Sequence, residues 1–488
     1  MNNWFIYLSV FEELYDKVVS DIISDTAFPK PVGFLYSEPQ KKRVNQNHYS
    51  QLDIYSEIVK LSLTHEPDIA FIKKMEQEYD VSSLSLTVFA DRHLVNNKYS
   101  YKQKLALIEL TFKYARDLME KHSLRFAWFE SVGGFTSYIL YLVFKKSGVK
   151  ICMLIYGQYP GKLTIASDHR LIWDGVEDEV SRIEQKSSPV SQLETEKAKN
   201  FLNNYREVFP KTPIVYSNKS WPKINFIDFK LFYRWAADYL LDNSSLVDQN
   251  PFKLVFLKIA RLLRGYFSTR LFSKVDLKTF DDYVFFPLHY QPEQTTLVCA
   301  PFCINQVSVI EDLAKSIPAG MRLVVKEHHG SIGRRPIIDY LNIKKNWNVI
   351  LVGPQENTMN LINNSKCILT INSTVGLQGI LLGKPVVTLA RVGYDACRSV
   401  IRVHDIAQER YNEAISTAIS LPVKEQDILN FCIAVERVML SHDDSFTLLQ
   451  PSYEPDAVMD AKNIHLISNL SKQDYLDFIN QNPVSQDQ

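Results

Sequence analysis

The sequence predicts an α/β protein made of two doubly wound, Rossmann-like domains that face each other across a cleft. In the C-terminal half, short apolar runs alternate with helical runs: Asn348–Val352, Thr358–Asn363, Cys367–Ile371, Val375–Leu382 and Val386–Leu389. The N-terminal half has a strand, a glycine turn, a helix and a strand between Leu124 and Ile155. This alternation is typical of parallel strands joined by crossover helices.

Length and composition limit the class of protein. A chain of 488 residues is too long for one ordinary domain, and 46% hydrophobic with 23% charged residues is typical of globular proteins. The 55 basic and 55 acidic residues cancel, which argues against a general nucleic-acid binder. No apolar run approaches the ~18–20 residues that span a bilayer. Met1–Val10 lacks the pattern of a secretory signal, so we expect a cytoplasmic protein.

The N-terminal domain, predicted at 1–180, offers two carboxylates at strand ends. Its predicted elements are strands at Trp4–Val10, Val32–Tyr36, Leu84–Ala90, Leu124–Trp128 and Lys150–Ile155, and helices at Leu105–Lys121 and Thr136–Lys145. Asp91 follows the third of these strands, and Glu130 follows the fourth, just before Gly133 and Gly134. A carboxylate in such a position can accept a proton from a hydroxyl group, although each could equally be a helix cap or an ion-pair partner.

The middle of the chain, 181–281, is predicted as a helical insertion. Its second aromatic-rich run, Phe252–Leu271, contains no acidic residue and five basic ones: Lys253, Lys258, Arg261, Arg264 and Arg270. A basic amphipathic helix can lie on an anionic membrane, so this run is the candidate for peripheral membrane contact. The alternative is an interdomain helix with a solvated basic side.

The C-terminal domain, predicted at 282–440 and followed by a tail at 441–488, carries the candidate anion site. Strands are predicted at Thr296–Cys299 and Leu323–Lys326, with a helix at Val307–Ser316 between them. After the strand Cys367–Ile371, a helix begins with the residues Asn372, Ser373, Thr374, Val375 and Gly376. Hydroxyl groups, backbone N–H groups and the helix dipole at such a terminus favour an anion, and open α/β sheets bind ligands at this edge.

A second strand end adds charge to the same candidate site. Lys326 and His328 can offer positive charge or N–H donors to a phosphate, and Glu327 would suit a pair of ribose hydroxyls.

Several other site types are excluded by their missing motifs. The sequence has no GxxxxGK[ST] motif, no GxGxxG after the first strand, and no HxxxH or HExxH pair. His328 and His329 are adjacent in an extended segment, so they point to opposite faces and suit one metal ion poorly. The six cysteines complete no zinc spacing, and we expect them to be buried free thiols.

Several stretches resemble the bacterial capsule and surface-polysaccharide glycosyltransferases, two-domain GT-B enzymes that include the Kdo transferases of capsule assembly. The similar pieces are PLHYQPE at 287–293, VKEHHG at 325–330, NVILVGP at 348–354, TINSTVGLQGILLGKPV at 370–386, ADRH at 90–93 and FESVGGFTSYILYLVFKKSGV at 129–149. The pattern is also similar to GT-B sialyltransferases, in which a His-Pro and a Ser-Ser/Thr element surround a CMP-sugar. His328 and Ser373-Thr374 would take those places, but His329 stands where the family has proline.

The resemblance implies a transferase that moves an acidic nonulosonate sugar, such as Kdo, from a CMP-sugar to a glycan. It implies a donor site formed by Lys326, Glu327, His328, Gln291 and the residues 372–376, with Glu130 or Asp91 as the base. It implies no cofactor and no obligatory metal, because a CMP-sugar has one phosphate. The partners expected are a nucleotide sugar, a lipid-linked glycan and the inner membrane.

Three alternatives remain open at the level of sequence. A GT-B enzyme could use a UDP- or GDP-sugar, which competition between CMP and UDP would reveal. An epimerase of the UDP-sugar type would consume its substrate without an acceptor. A non-catalytic polysaccharide assembly subunit would bind glycan and leave the CMP-sugar intact.

Overall fold

The structure, a computed structural model, describes most of the chain and divides it into two compact units. The described residues are 3–8, 12–25, 28–91, 94, 99–156, 158–208, 232–233, 236–237, 251–274, 282–403, 408–441, 467–469 and 472. One unit combines 1–171 with 233–250 and 441–488, and the other combines 172–232 with 251–440. Among the described residues, no helix is both long enough and apolar enough to cross a membrane.

The first unit is built on a mainly parallel sheet. Its strands are β1 (Asn3–Tyr7), β2 (Val32–Leu35), β3 (Gln51–Ile54), β4 (Leu124–Phe129), β5 (Lys150–Tyr156) and β6 (Lys162–Ala166). They lie in the order β6-β5-β4-β1-β2-β3, and β6 alone of these six is antiparallel to its neighbour. The two-residue strand Leu440–Ser441 (β13) takes the edge beside β6. β1 lies between β4 and β2, so the order of the strands along the chain reverses at β1.

The helices α1–α7 accompany this sheet, and aromatic packing fixes the strand ends. The helices are α1 (Glu12–Ile23), α2 (Glu38–Arg43), α3 (Tyr55–Ser62), α4 (Ile69–Glu78), α5 (Ser85–Phe89), α6 (Tyr101–His122) and α7 (Phe135–Lys146). The Tyr7 ring stacks between Phe34 and Phe129, with ring centroids 5.8 and 5.7 Å away. These contacts join the ends of β1, β2 and β4, and so set the edge at which Glu130 emerges.

The second unit has a wholly parallel sheet of six strands. They are β7 (Tyr283–Pro287), β8 (Arg322–Lys326), β9 (Val349–Val352), β10 (Cys367–Thr370), β11 (Val386–Thr388) and β12 (Val400–Arg402). The order is β12-β11-β10-β7-β8-β9, so the chain order reverses between β7 and β10. Every residue of β7 and β10 is buried, as expected for central parallel strands.

The helices α8–α17 of the described residues belong to this unit. They are α8 (Val176–Glu184), α9 (Gln192–Val208), α10 (Pro251–Ser268), α11 (Gln294–Leu297), α12 (Gln306–Ser316), α13 (Ile337–Lys344), α14 (Thr358–Asn364), α15 (Thr374–Leu381), α16 (Gln408–Ser420) and α17 (Glu425–Val438). Arg437 on α17 donates to Glu179 on α8 and Glu194 on α9, each at 2.7 Å. The helices α9 and α10, which fall in the segment 181–281 predicted as a helical insertion, belong to the second unit in this division of the chain.

The prediction of two Rossmann-like bodies is confirmed, and two of the predicted strands are wrong. Leu84–Ala90 contains the helix α5, in which Leu84, Thr87 and Ala90 are buried at helical spacing while Phe89 is 57% exposed. Thr296–Cys299 overlaps the short helix α11, whose Leu297 N–H donates to the carbonyl of Glu293. A short apolar run fits the periodicity of a strand and that of a helix equally well, so the sequence pattern alone could not distinguish them in these two runs.

The remaining predictions concern the cysteines, the elements outside the described residues and the domain bounds. All six cysteines are buried and free, as predicted. The sequence also predicts a strand at Pro213–Ser217 and helical runs at Phe226–Leu241 and Asp474–Ile479. These lie outside the described residues, except four residues of Phe226–Leu241. So do Arg92 and His93 of the ADRH stretch. The predicted domain bounds stay a prediction.

Candidate functional site

Three strand ends of the second unit meet where the strand order reverses. Pro287 at the end of β7 pairs with Lys326 at the end of β8, and the N–H of Leu288 donates to the Lys326 carbonyl at 2.8 Å. On the other side of β7, the N–H of Asn372 approaches Nε2 of His289 at 3.3 Å. The predicted residues Lys326, His328, Asn372 and Ser373 therefore lie along one edge, at the position where open α/β sheets bind ligands.

Glu327 has a different role from the ribose contact expected of it. Its side chain is fully buried, and its Oε2 accepts a hydrogen bond from Nε of the buried Arg335 at 2.9 Å. Its Oε1 accepts the backbone N–H of His328 at 2.7 Å. Both oxygens thus have partners within the protein, and the arrangement suits a positioning residue better than a contact to ribose.

Arg335 connects Glu327 to the loop after β7. Its Nη2 donates to the carbonyl of His289 at 3.4 Å, so the ion pair connects the segments that follow β7 and β8. Burial alone would lower the pKa of Arg335, and the Glu327 carboxylate more than offsets that effect, so the pKa is raised. The guanidinium is charged at every relevant pH.

The hydrogen bonds of His328 fix its tautomer. The N–H of Gly330 donates to Nδ1 of His328 at 3.1 Å, so Nδ1 is an acceptor and the proton lies on Nε2. Burial, together with the nearby His329 and Lys326, lowers the pKa of His328 to about 3. His328 therefore stays neutral near pH 7 and offers one N–H donor and no positive charge.

Lys326 supplies the charge that His328 lacks. Burial lowers the pKa of Lys326 to about 8, although Glu327 and Glu356 act in the opposite direction. The ammonium is therefore largely protonated at pH 7 and loses its proton when the pH rises through about 8. A partly desolvated ammonium of this kind attracts an anion more strongly than an exposed one.

The helix start at Ser373 differs from the prediction in its donors. Ser373 Oγ accepts the N–H of Val375 at 3.3 Å, and the Ser373 carbonyl accepts the N–H of Gly376 at 3.0 Å. These two N–H groups, predicted to face a phosphate, are therefore used within the turn. Thr374 is exposed at the first position of α15, and its hydroxyl is the predicted ligand group that reaches solvent here.

Tyr394 is a contributor that sequence analysis missed. Its hydroxyl donates to the Ser373 carbonyl at 2.6 Å and holds the turn in place. A Cβ on Gly376 would collide with that hydroxyl, which explains why glycine occupies the first turn of α15. The glycine was visible in the sequence, but its partner lies 18 residues further along the chain.

His289 is the second missed residue, and it has unused hydrogen-bonding capacity. Its backbone is held from both sides by the Gln306 amide, at 2.9 and 3.3 Å, and burial lowers its pKa to about 4. Among the described residues, three buried polar atoms here have no hydrogen-bond partner: Nδ1 of His289, Oδ1 of Asn372 and Nε2 of Gln294. Buried polar atoms are normally satisfied, so this edge suits a polar ligand.

Gln291 and Tyr290 shape the loop after β7. The side-chain amide of Gln291, predicted to bind the nucleotide, donates to the carbonyl of Ile304 at 2.6 Å. The His328 ring centroid lies 5.7 Å from the Tyr290 ring centroid, and the Arg334 guanidinium lies 5.0 Å from it. An aromatic face with a nearby cation is the kind of surface on which a planar ring can stack.

The two candidate bases in the first unit have different surroundings. Asp91 is buried, with Oδ2 accepting the N–H of Phe135 at 3.1 Å and Oδ1 accepting the N–H of Leu94 at 3.2 Å. Asp91 therefore caps the start of α7, which is the helix-cap alternative given for it in the sequence analysis. Glu130 is half-exposed, and its N–H donates to the Tyr7 carbonyl at 3.2 Å, which places it at the end of β4. Of the two carboxylates, Glu130 is the more exposed.

Within the described part of the chain, no group of three or more His, Cys, Asp or Glu side chains is arranged to hold a metal ion.

Comparison with known proteins gives one match to a family. Residues 247–397 match the family model described as "Capsule polysaccharide biosynthesis protein". This range includes the loops after β7, β8 and β10. The resemblance to capsule polysaccharide biosynthesis proteins is therefore confirmed for this part of the chain.

One curated relative aligns with a similar share of the chain. Protein FixF of Sinorhizobium fredii (strain NBRC 101917 / NGR234) is 32% identical over 166 residues. The alignment covers 32% of this chain and 38% of FixF, so the chain matches well under half the length of this relative.

Solved structures show distant likenesses. The beta Kdo 2,7 transferase KpsC of Thermosulfurimonas dismutans is 11% identical, with 77% of this chain and 98% of that chain covered at a TM-score of 0.34. The beta Kdo 2,4 transferase KpsC of the same organism is 14% identical, with 65% and 80% covered at 0.33. A UDP-GlcNAc 2-epimerase from Neisseria meningitidis is 12% identical, with 96% and 100% covered at 0.23. At these TM-scores the likenesses carry no argument about function.

The buried ion pair gives the first testable prediction. Glu327→Gln should destabilise the fold by roughly 3–5 kcal/mol, because it leaves Arg335 buried without a counter-charge. The double change Glu327→Gln with Arg335→Met should recover most of that stability. Its affinity for CMP, the nucleotide that the sequence leads us to expect, should still be at least about tenfold weaker, because Arg335 no longer joins the loops after β7 and β8. Urea unfolding and calorimetric titration with CMP measure the two effects.

Glu66→Gln is the matched control, because it removes an exposed pair with Lys102 worth about 0–1 kcal/mol. Wild-type CMP affinity in the refolded double variant would show that the pair does not position the site.

Proposed function

We propose that this protein is a glycosyltransferase that moves an acidic nonulosonate sugar from a CMP-sugar to a capsule or lipopolysaccharide glycan. The sugar would be of the Kdo, sialic or pseudaminic type. The observation that carries the proposal is the convergence of Lys326, His328 and Ser373 at the reversal of strand order. This convergence lies inside the range that matches the capsule polysaccharide biosynthesis family.

The proposed donor site suits a single phosphate. Lys326 supplies one positive charge, and the fixed Nε2–H of His328 supplies a directed donor. When the bond between the sugar and the phosphate breaks, negative charge grows on the phosphate oxygen that leaves. Donors already aimed at that oxygen stabilise the transition state without further rearrangement. A nucleoside monophosphate needs no divalent ion to neutralise neighbouring phosphates, so we propose a reaction without an obligatory metal.

The remaining polar surface would bind the nucleoside. The unpartnered atoms of His289, Asn372 and Gln294 offer both donors and an acceptor, which is what the polar edge of a pyrimidine requires. The Tyr290 face beside Arg334 offers a stacking surface. The acidic group of a nonulosonate sugar is a second anion, and Lys326 and the exposed Arg334 favour it electrostatically.

Glu130 is the proposed base of the acceptor-binding unit. Its carboxylate would accept the proton of the acceptor hydroxyl or orient that hydroxyl for attack. We further propose that the acceptor is lipid-linked and that the enzyme works at the cytoplasmic face of the inner membrane.

The direct test is transfer from a panel of CMP-, UDP- and GDP-sugars to a glycan acceptor. Only the CMP-nonulosonates should react, chelation of divalent ions should leave the rate unchanged, and His328→Ala should reduce turnover at least about tenfold. His329→Ala is the control, since His329 neighbours His328 but takes no part in its hydrogen bonds to Gly330 and Glu327. Turnover of a UDP-sugar without any acceptor would replace the proposal with an epimerase.

The pH dependence of CMP binding tests the role of Lys326. The affinity should be constant near pH 7 and should fall by about tenfold per pH unit above the pKa of about 8, because only the protonated ammonium attracts the phosphate. Lys326→Arg keeps the charge at high pH and should remove this dependence. A wild-type affinity that does not change across this range would exclude Lys326 from phosphate binding.

Glu130 and Asp91 are separated by matched amide substitutions. Glu130→Gln should lower turnover by roughly 10²–10⁴ while CMP-sugar affinity stays within a few-fold, because the base acts on the chemical step. Asp91→Asn should mainly lower stability, by about 1 kcal/mol, because it weakens a helix cap. The assignment is reversed if steady-state kinetics find Asp91→Asn inactive and Glu130→Gln active.

A further inference from the structure

The helix α10 turns its apolar side outward, which is the opposite of what a soluble amphipathic helix does. Six large apolar side chains along one face are between 45% and 69% exposed: Val255, Phe256, Ile259, Leu263, Tyr266 and Phe267. On a helix these positions fall within one stripe. The side of α10 that packs against the protein instead carries Gly265 and Ser268, which are buried.

Two basic residues on the opposite side of the helix face the protein. Arg261 donates to the carbonyls of Gly330 and Ile332 at 3.1 and 3.3 Å, and Arg264 donates to the carbonyl of Arg334 at 3.3 Å. Gly333 has a φ of +73°, and a Cβ there would collide with the Arg261 carbonyl. These two arginines, which belong to the five basic residues of the candidate membrane-binding run, therefore anchor the helix to the loop after β8.

The helix next to α10 also has exposed apolar side chains. α13 packs beside α10, and Lys344 at its end donates to the carbonyl of Leu271 at 2.9 Å. Its Ile338 is 56% exposed, and Trp347, three residues beyond its end, is 89% exposed. Exposed apolar side chains scattered singly are ordinary, but a stripe along α10 with further exposed apolar side chains on the adjacent helix indicates a binding surface.

The charge around this surface identifies the partner. The segments 251–274 and 337–347 together contain eight basic residues and one acidic residue, Asp339. The exposed basic side chains among them are Arg270, Lys274, Lys344 and Lys345. A second copy of the chain would bring this positive charge against itself across a two-fold axis, which is unfavourable. An anionic lipid surface offers negative charge and an apolar layer together, and aromatic side chains prefer that boundary.

We propose that the outward face of α10, together with Ile338 and Trp347, inserts into the headgroup region of an anionic membrane. The apolar side chains enter the lipid layer, and the exposed basic residues contact the lipid phosphates. This inference deepens the proposed function, because it specifies the partner that a lipid-linked acceptor requires. Membrane binding is measured without any sugar donor, so the two proposals can fail separately.

The test is co-sedimentation of the full chain with lipid vesicles. Vesicles of phosphatidylcholine with about one third phosphatidylglycerol should bind the protein, and vesicles of phosphatidylcholine alone should bind it more weakly. Leu263→Asp should weaken binding at least about tenfold, because it places a charge in the apolar layer. Its control is Leu421→Asp, at a site in the same unit that is 60% exposed against 59% for Leu263, and this variant should bind like the wild type.

Charge is tested by a second matched pair. The double change Lys274→Glu with Lys345→Glu should weaken binding to the anionic vesicles, whereas Lys197→Glu with Lys199→Glu on α9 should not. Failure of the wild type to bind anionic vesicles at low salt, or equal binding by Leu263→Asp, would overturn the proposal. Without vesicles, a dimer in analytical ultracentrifugation that Leu263→Asp dissociates would assign the face to a second copy and overturn it as well.

Discussion

The buried pair of Glu327 and Arg335 is the constraint on which the candidate site depends. Two ions are removed from water at the end of β8, which is costly unless their remaining hydrogen bonds are satisfied. They are satisfied by the backbone N–H of His328 and the carbonyl of His289. The loops after β7 and β8 are thereby joined at the strand ends, and His328 is held as a neutral donor beside the charged Lys326. A charge and a directed N–H, fixed before any ligand arrives, are what a leaving phosphate requires.

Much of this edge could be predicted from the sequence, because it follows from local rules. Parallel strands end at one edge, so residues placed just after β7, β8 and β10 had to come together. The roles of individual side chains were less accessible, since they depend on partners distant in sequence. Glu327 looked available for ribose until Arg335 and the turn of the loop used both of its oxygens. Tyr394 and His289 were missed because their bonds to Ser373 and Asn372 span 21 and 83 residues.

Partners distant in sequence also decide which side of a helix is buried. The run of α10 was correctly predicted as helical and basic, yet its amphipathic pattern did not say which side packs. The loop around Gly333 decided this by accepting hydrogen bonds from Arg261 and Arg264, which left the apolar side outward. Asp91 and Glu130 likewise looked equivalent at their strand ends. The structure distinguishes them, because Oδ2 of Asp91 accepts the N–H of Phe135 at the start of α7 and Oδ1 accepts the N–H of Leu94.

The central claim is that His328 is a neutral donor with its proton on Nε2, held in place for a phosphate. Nitrogen NMR of ¹⁵N-histidine-labelled protein, with His328→Gln used to assign the signal, measures this directly. The account predicts a protonated Nε2 and an acceptor Nδ1 that stay unchanged as the pH falls from about 8 to about 5, since burial depresses the pKa of His328. Added CMP should shift the Nε2 signal. A His328 that titrates near pH 6.5, carries its proton on Nδ1, or does not respond to CMP would contradict the account.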